Sequence, residues 1–140
     1  MSRFIISRGA LGIRFVLKAD NGRTLAFSKY YATLDACKKG ICSLTFYAPI
    51  APVVDTTVGE YGANPKFEIT RGESGGYCYA LKSANGKSVL ACAPMETRKA
   101  CLRAVAMLRT GVMDAEVALD TPRQLTPLTV KGLVRDHLKD

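Results

Sequence analysis

Side chains that suit a core alternate with their neighbours from the start of the chain. Phe4 and Ile6 are set against Ile5 and Ser7, and Ile13, Phe15 and Leu17 against Arg14, Val16 and Lys18, with a turn at Gly9 to Gly12 between. A period of two predicts strands with one buried face. Asp20-Asn21-Gly22 follows, and Asn-Gly between alternating runs signals a hairpin. A third strand, Thr24 to Ser28, is expected to turn Leu25 and Phe27 inward. The period then changes. Leu34, Cys37, Ile41 and Leu44 recur at three, four and three residues, which is one face of a helix. Thr33 suits its N-cap and Asp35 the positive end of its dipole. Gly40 lies inside this stripe and costs about 1 kcal/mol against alanine, yet the spacing carries the helix past it. After Pro49, Ile50 to Asp55 reads as a final strand.

The same plan returns at a spacing of roughly 64 residues. Arg3-Phe4-Ile5-Ile6-Ser7-Arg8-Gly9 reappears as Lys66-Phe67-Glu68-Ile69-Thr70-Arg71-Gly72, and Leu17-Lys18-Ala19-Asp20-Asn21-Gly22 as Leu81-Lys82-Ser83-Ala84-Asn85-Gly86. Thr33 to Cys37 reappears as Thr97 to Cys101. In the second unit Phe67, Ile69, Tyr77, Tyr79, Leu81, Val89 and Ala91 are the expected inward positions of three strands. Thr97 caps a helix with the stripe Cys101, Val105 and Leu108, Gly111 stops it, and Ala115 to Leu119 is the last strand. The pattern predicts an α+β protein of two tandem strand-strand-strand-helix-strand repeats, 1–55 and 66–120, joined by a turn-rich connector, 56–65. Together they make one pseudo-symmetric domain, 1–120, with two helices on one face of the sheet. Residues 121–140 form a C-terminal extension, in which Val130, Leu133, Val134 and Leu138 predict a short amphipathic helix.

Composition narrows the function classes. A chain of 140 residues with 48% hydrophobic content can bury a core of its own. No basic-then-apolar leader precedes Phe4, and the most apolar stretch, Ala100 to Val112, is broken by Arg103 and Arg109. The expectation is a cytoplasmic protein with no membrane contact. The five cysteines include no Cys-x-x-Cys pair, and the one histidine is His137, so no zinc spacing can be written and no metal or cofactor is expected. Cys37 and Cys101 read as small buried hydrophobes, and Cys78 and Cys92 as reduced thiols facing each other across a hairpin. The net charge of +8 is spread along the chain without a basic run, which favours solubility and weak attraction to anions.

Catalytic chemistry finds no footing. A Ser-His-Asp or Cys-His arrangement cannot be drawn from His137. The carboxylates, among them Asp20, Asp35, Asp55, Glu68 and Glu96, are scattered over turns, helix starts and strand ends. Gly72-Glu73-Ser74-Gly75-Gly76 joins two strands rather than a strand and a helix, and no Gly-Lys-Ser/Thr follows, so it reads as a hairpin turn and not a phosphate cradle. No catalytic residue is assigned, and the chain is not expected to be an enzyme.

Binding is the remaining class. Strand parity sends Phe4, Phe15, Phe27, Phe67, Tyr77 and Tyr79 to the core. The outer sheet face then carries Arg14, Val16, Ala26 and Ser28, with Ala80, Leu90 and Cys92, and has no platform for stacking bases. The candidate anion or partner contacts are Lys38 and Lys39 on the first helix and Arg98, Lys99 and Arg103 on the second. Arg98 and Lys99 oppose the helix dipole, a local rule broken without visible compensation. Val16, Ala26, Ala80 and Leu90 form an apolar patch that a second chain could cover, so both monomer and homodimer stay open. The leading expectation is a non-enzymatic binding or interaction module, with protein or nucleic acid as partner. The alternative is sequence-independent phosphate contact through the basic helix faces, and a small-molecule enzyme comes third.

Phe15-Val16-Leu17-Lys18-Ala19-Asp20-Asn21-Gly22, the Ser28 to Tyr31 segment, Gly40-Ile41-Cys42-Ser43-Leu44 and Ala48-Pro49 running to Asp55 resemble the YegP-like family, small bacterial and archaeal proteins of uncharacterised function. The resemblance covers residues 3–120. The second unit departs from it, with Ala104 where the pattern has Gly40 and Pro94-Met95 where it has Tyr30-Tyr31. The resemblance implies one continuous antiparallel sheet with helices on one face and terminal strands exchanged between the units. It implies no reaction.

Overall fold

Strands β1 (Arg3–Gly9) and β2 (Gly12–Lys18) form a hairpin in which Phe4 lies opposite Leu17 and Ile6 opposite Phe15. This is a computed structural model, and it describes residues 3–112, 115–119 and 128–130. The expected period of two holds here, with Phe4, Ile6, Ile13, Phe15 and Leu17 all buried. The loop to β3 (Thr24–Phe27) is a three-residue turn. Gly22, at φ 83°, donates to the Ala19 carbonyl, and Asn21 Oδ1 accepts from the Arg23 N–H. A turn closed by one left-handed glycine replaces the two-residue hairpin, because Asn21 keeps a negative φ. Helix α1 (Leu34–Tyr47) runs through Gly40 and is capped by Thr33, whose hydroxyl accepts from the Ala36 N–H at 3.1 Å. β4 (Val53–Asp55) is shorter than expected and passes into a 3₁₀ turn at Thr56–Val58.

The second half follows the same order: β5 (Lys66–Arg71), β6 (Tyr77–Lys82), β7 (Ser88–Cys92), α2 (Arg98–Gly111) and β8 (Glu116–Leu119). Thr97 caps α2 as Thr33 caps α1, accepting from the Ala100 N–H at 3.1 Å. The helix ends at Gly111 without the left-handed glycine expected there. Registers agree between the halves. Phe67 lies opposite Leu81 as Phe4 lies opposite Leu17, and Val53 lies beside Phe67 as Val117 lies beside Phe4.

Among the described residues one nine-stranded sheet results, in the order β4-β5-β6-β7-β3-β2-β1-β8-β9. It is mixed, which corrects the expectation of an antiparallel sheet: β4 runs parallel to β5, and β8 parallel to β1. The reason is connection length. A hairpin turn forces its two strands antiparallel, whereas the connector 56–65 carries the chain back to begin β5 in the direction of β4. β8 arrives from α2 beside a strand of the other half, again with no short turn to set its sense. Of residues 121–140 the described part is 128–130, in which β9 (Leu128–Thr129) pairs with β8 and Val130 is buried. The helix expected through Leu133, Val134 and Leu138 lies outside the described residues.

A second correction concerns which side chains face inward. Leu17 pairs with Ala26 but Lys18 pairs with Thr24, which leaves Leu25 as an extra residue. Val89 is the extra residue between Leu81–Leu90 and Lys82–Ser88. Each bulge resets the alternation beyond it. Ala26 and Leu90, opposite inward Leu17 and Leu81, are therefore core residues at 0% exposure, and Ser28 and Cys92 follow them inward. The Ser28 hydroxyl accepts from the Phe15 N–H at 3.0 Å, and the Cys92 sulfur from the Tyr79 N–H at 3.1 Å. Phe27 and Ala91, expected inside, lie on the outer face in a row with Val16 and Ala80. There the Arg14 guanidinium packs over the rings of Phe27 and Tyr30, at 5.4 and 5.0 Å from their centres. The outer face thus does carry an aromatic pair, held by an arginine. On the inner face both helix stripes, Cys37–Ile41–Leu44 and Cys101–Val105–Leu108, join one continuous core with Phe4, Phe15, Phe67 and Leu81.

Candidate functional site

The five basic residues singled out from the sequence have unequal surroundings. Arg98 Nε donates to the carboxylate of Asp55, at the end of β4. Asp55 is 2% exposed, and its carboxylate also accepts from the Thr57 N–H and hydroxyl. Burial pushes the Asp55 pKa up, but the bonds from Thr57 and Arg98 outweigh it and hold the group below its ordinary value. Arg98 is therefore tied into the fold. Its conflict with the helix dipole has a compensation that the sequence did not reveal. Lys39 lies 3.4 Å from Asp35 in an exposed pair one turn apart, of the kind that stabilises little. Lys38, Lys99 and Arg103 make no ion pair among the described residues.

Arg103 does something else: it borders a cavity of about 480 Å³ between α2 and the sheet. Phe4, Leu17, Leu25 and Tyr79 form its floor, and Ala104 and Met107 lie on the helix side. Among the described residues Arg103 is the charged one in a mostly apolar lining. The cavity is in the range of small-molecule sites, which are mostly apolar with a few placed polar groups.

Its origin is visible by comparing the halves. Met95, Ala104 and Gly111 line the cavity, and at the spacing that carries Cys37 to Cys101 their counterparts are Tyr31, Gly40 and Tyr47. Tyr31 stacks on Phe15, with ring centres 6.4 Å apart and planes at 16°. Its hydroxyl end sits so close to Gly40 that a Cβ there would overlap it. Tyr47 also packs against the core. Two tyrosines thus fill the first half where the second half has a methionine and a glycine. Tyr31-to-Met95 and Gly40-to-Ala104 were legible as differences in the sequence. Tyr47-to-Gly111 was equally visible, but nothing in periodicity marks the loss of a half-buried ring as a void.

A group of thiols lies beneath α2 as well. Cys78 and Cys92 do approach one another across β6 and β7, and both neighbour Cys101 on the helix. The hydrogen bond from Cys101 favours the Cys92 thiolate and lowers its pKa, while the same bond and burial push Cys101 up. Cys92 is 5% exposed and Cys101 is fully buried, so the group works as internal packing and as the acceptor for the Tyr79 N–H. Burial pushes Cys37 up to about 11. Among the described residues no three His, Cys, Asp or Glu side chains converge to hold a metal ion, and no helix is long and apolar enough to cross a membrane.

Two solved structures share this architecture. The protein of unknown function yegP from E. coli matches with a TM-score of 0.67 at 22% identity, over 88% of this chain and 96% of its own. UPF0339 protein SO3888 from Shewanella oneidensis matches with a TM-score of 0.67 at 17% identity, over 89% and 95%. The chain shares the YegP-like fold. Residues 12–55 also match the family model described as a domain of unknown function, DUF1508. No curated protein matches the chain. Within the YegP-like frame, the Tyr31–Gly40 packing lies inside the matched segment 12–55, whereas the α2 residues of the cavity lie beyond it.

Proposed function

We propose that the chain is a non-enzymatic binding module, built from two copies of one unit that exchange their last strands, and that a small apolar ligand enters the cavity beneath α2. The supporting observation is the cavity itself, present where Met95 and Gly111 replace the tyrosines that fill the first half. Folded interiors are close-packed and seldom leave voids larger than a water molecule, so an opening of this size with apolar walls is itself a sign of binding. The agreement of registers and bulges between the halves supports the duplication. A cytoplasmic setting fits five free thiols, three of them neighbours.

Phosphate contact through the helix faces is the weaker reading. Two of its five cations, Arg98 and Lys39, are already engaged by carboxylates. An enzyme is weaker still, because the buried carboxylate, Asp55, is held by Thr57 and Arg98 rather than offered to a cleft.

The test rebuilds the first half's packing in the second. A neutral apolar dye such as Nile red should bind the protein saturably, with one site per chain. Met95→Tyr/Ala104→Gly/Gly111→Tyr should abolish most of that binding while the far-ultraviolet circular dichroism is retained. Equal dye binding by the filled variant would overturn the cavity as the site.

A further inference from the structure

We propose that the ligand is an aliphatic carboxylate, with its tail under α2 and its carboxylate against Arg103 at the mouth of the cavity. The inference rests on the binding reading above and adds the chemistry of the ligand.

Three observations converge. The first is the lining, in which Arg103 is the one charged side chain among the described residues and most of the rest is apolar. Such a wall takes a hydrocarbon tail and, among the described residues, holds no second charge, the Tyr79 hydroxyl being its other polar side-chain group, so a charged end of a ligand pairs at the arginine. Met107, 64% exposed on the same helix, extends the apolar surface outward beside it.

The second is the charge around Arg103. Its counterpart in the first half is Lys39, which Asp35 neutralises from one helical turn earlier, at 3.4 Å. The counterpart of Asp35 is Lys99. Where the first half has an acid–base pair, the second has two cations in the same geometry, and like charges four residues apart on a helix repel. Arg103 has no acidic partner among the described residues. An anion held between Arg103 and Lys99 would replace the missing Asp35.

The third is that both changes fall on one element. The substitutions that open the cavity, at Met95 and Gly111, and the one that reverses the charge, at Lys99, all surround α2, while α1 keeps the closed and neutralised arrangement. Room for a tail and an unpaired cation at the entrance together describe a site for an anionic amphiphile. The guanidinium fork, which accepts a planar carboxylate through two parallel bonds, favours a carboxylate as the head.

Isothermal titration of the full chain with decanoate and with decanol tests this, each below its aggregation limit, with Arg103→Gln and Gly111→Tyr as variants. Decanoate should bind more tightly than decanol. Arg103→Gln should weaken decanoate about tenfold, as loss of a charge-assisted hydrogen bond predicts, and leave decanol unchanged. Gly111→Tyr should weaken both. Arg103 is exposed, so its glutamine variant should keep the wild-type thermal midpoint. If decanol and decanoate bind alike and Arg103→Gln changes neither, the cavity reading survives and the carboxylate assignment is overturned. If neither binds, both fail. If decanoate binds Gly111→Tyr as well as the wild type, it is held elsewhere on the surface and the assignment is again overturned.

Discussion

Gly40 and Tyr31 illustrate what one residue can and cannot disclose. Read along the chain, Gly40 is a defect in a helix, about 1 kcal/mol worse than alanine. In the fold it is the position that lets the Tyr31 ring lie against α1, where a Cβ would overlap the ring's hydroxyl end. Gly40→Ala should therefore destabilise the protein by about 1–3 kcal/mol, as overpacked sites do, despite the better helix propensity. Adding Tyr31→Met, which copies the second half's Met95 and Ala104, should recover most of the loss. Urea unfolding measures both, and a Gly40→Ala variant more stable than the wild type would refute the packing account. The covariation of these two positions between the halves was visible in the sequence, but its cause was not, because the ring and the helix meet only through the tertiary fold. Phe27 was misplaced for a related reason. Its parity depends on the extra residue Leu25, and a bulge leaves no mark in an alternating pattern.

At the level of elements, the ion pair between Asp55 and Arg98 ties the end of β4 to the first turn of α2, two segments that strand and helix patterns treat as unrelated. Removing one partner of such a pair leaves the other unmatched, while replacing both by apolar residues is often neutral. The first half already carries Leu34 at the position of Arg98, and Leu119 follows at that of Asp55. Asp55→Leu and Arg98→Leu should each lower the thermal midpoint, and the double variant should lie above either single one. The pH dependence follows from the carboxyl being held below its ordinary value. Its stabilising contribution is complete above the unfolded aspartate pKa of about 3.9 and is lost as pH falls through the lower, folded value. The wild type should thus lose stability below about pH 4 more steeply than the double variant, as read from thermal midpoints across an acid series. A pair of matching slopes would show that Asp55 does not carry the linkage. The caps and stripes of both helices were legible because they are local, whereas this tie joins residues far apart in sequence.

Across the whole molecule, the change of hydrophobic period from two to that of a helix anticipated the element order through β8. What it could not supply was strand direction, since β4–β5 and β8–β1 are set by the length and route of the connections rather than by any pattern. The site was legible only in part. The basic residues were named, but the cavity is defined by rings that are missing from the second half. Because β4 pairs with β5 and β8 with β1, separating the halves strips β4 of its partner and leaves β8 with the two-residue β9 alone. Fragments cut within 56–65 should be unfolded alone and regain the native circular dichroism on mixing, and a single half that folds as a monomer would contradict this. The pairings across the halves also decide what the sheet presents at its margins. Among the described residues its two rims are β4, three residues long with Val54 buried, and β9, two residues long. Gly62 of the connector comes close against Val54. A rim that short exposes few unpaired backbone groups for a stray strand to zip onto. Short rims of this kind guard a wide sheet against polymerising edge to edge.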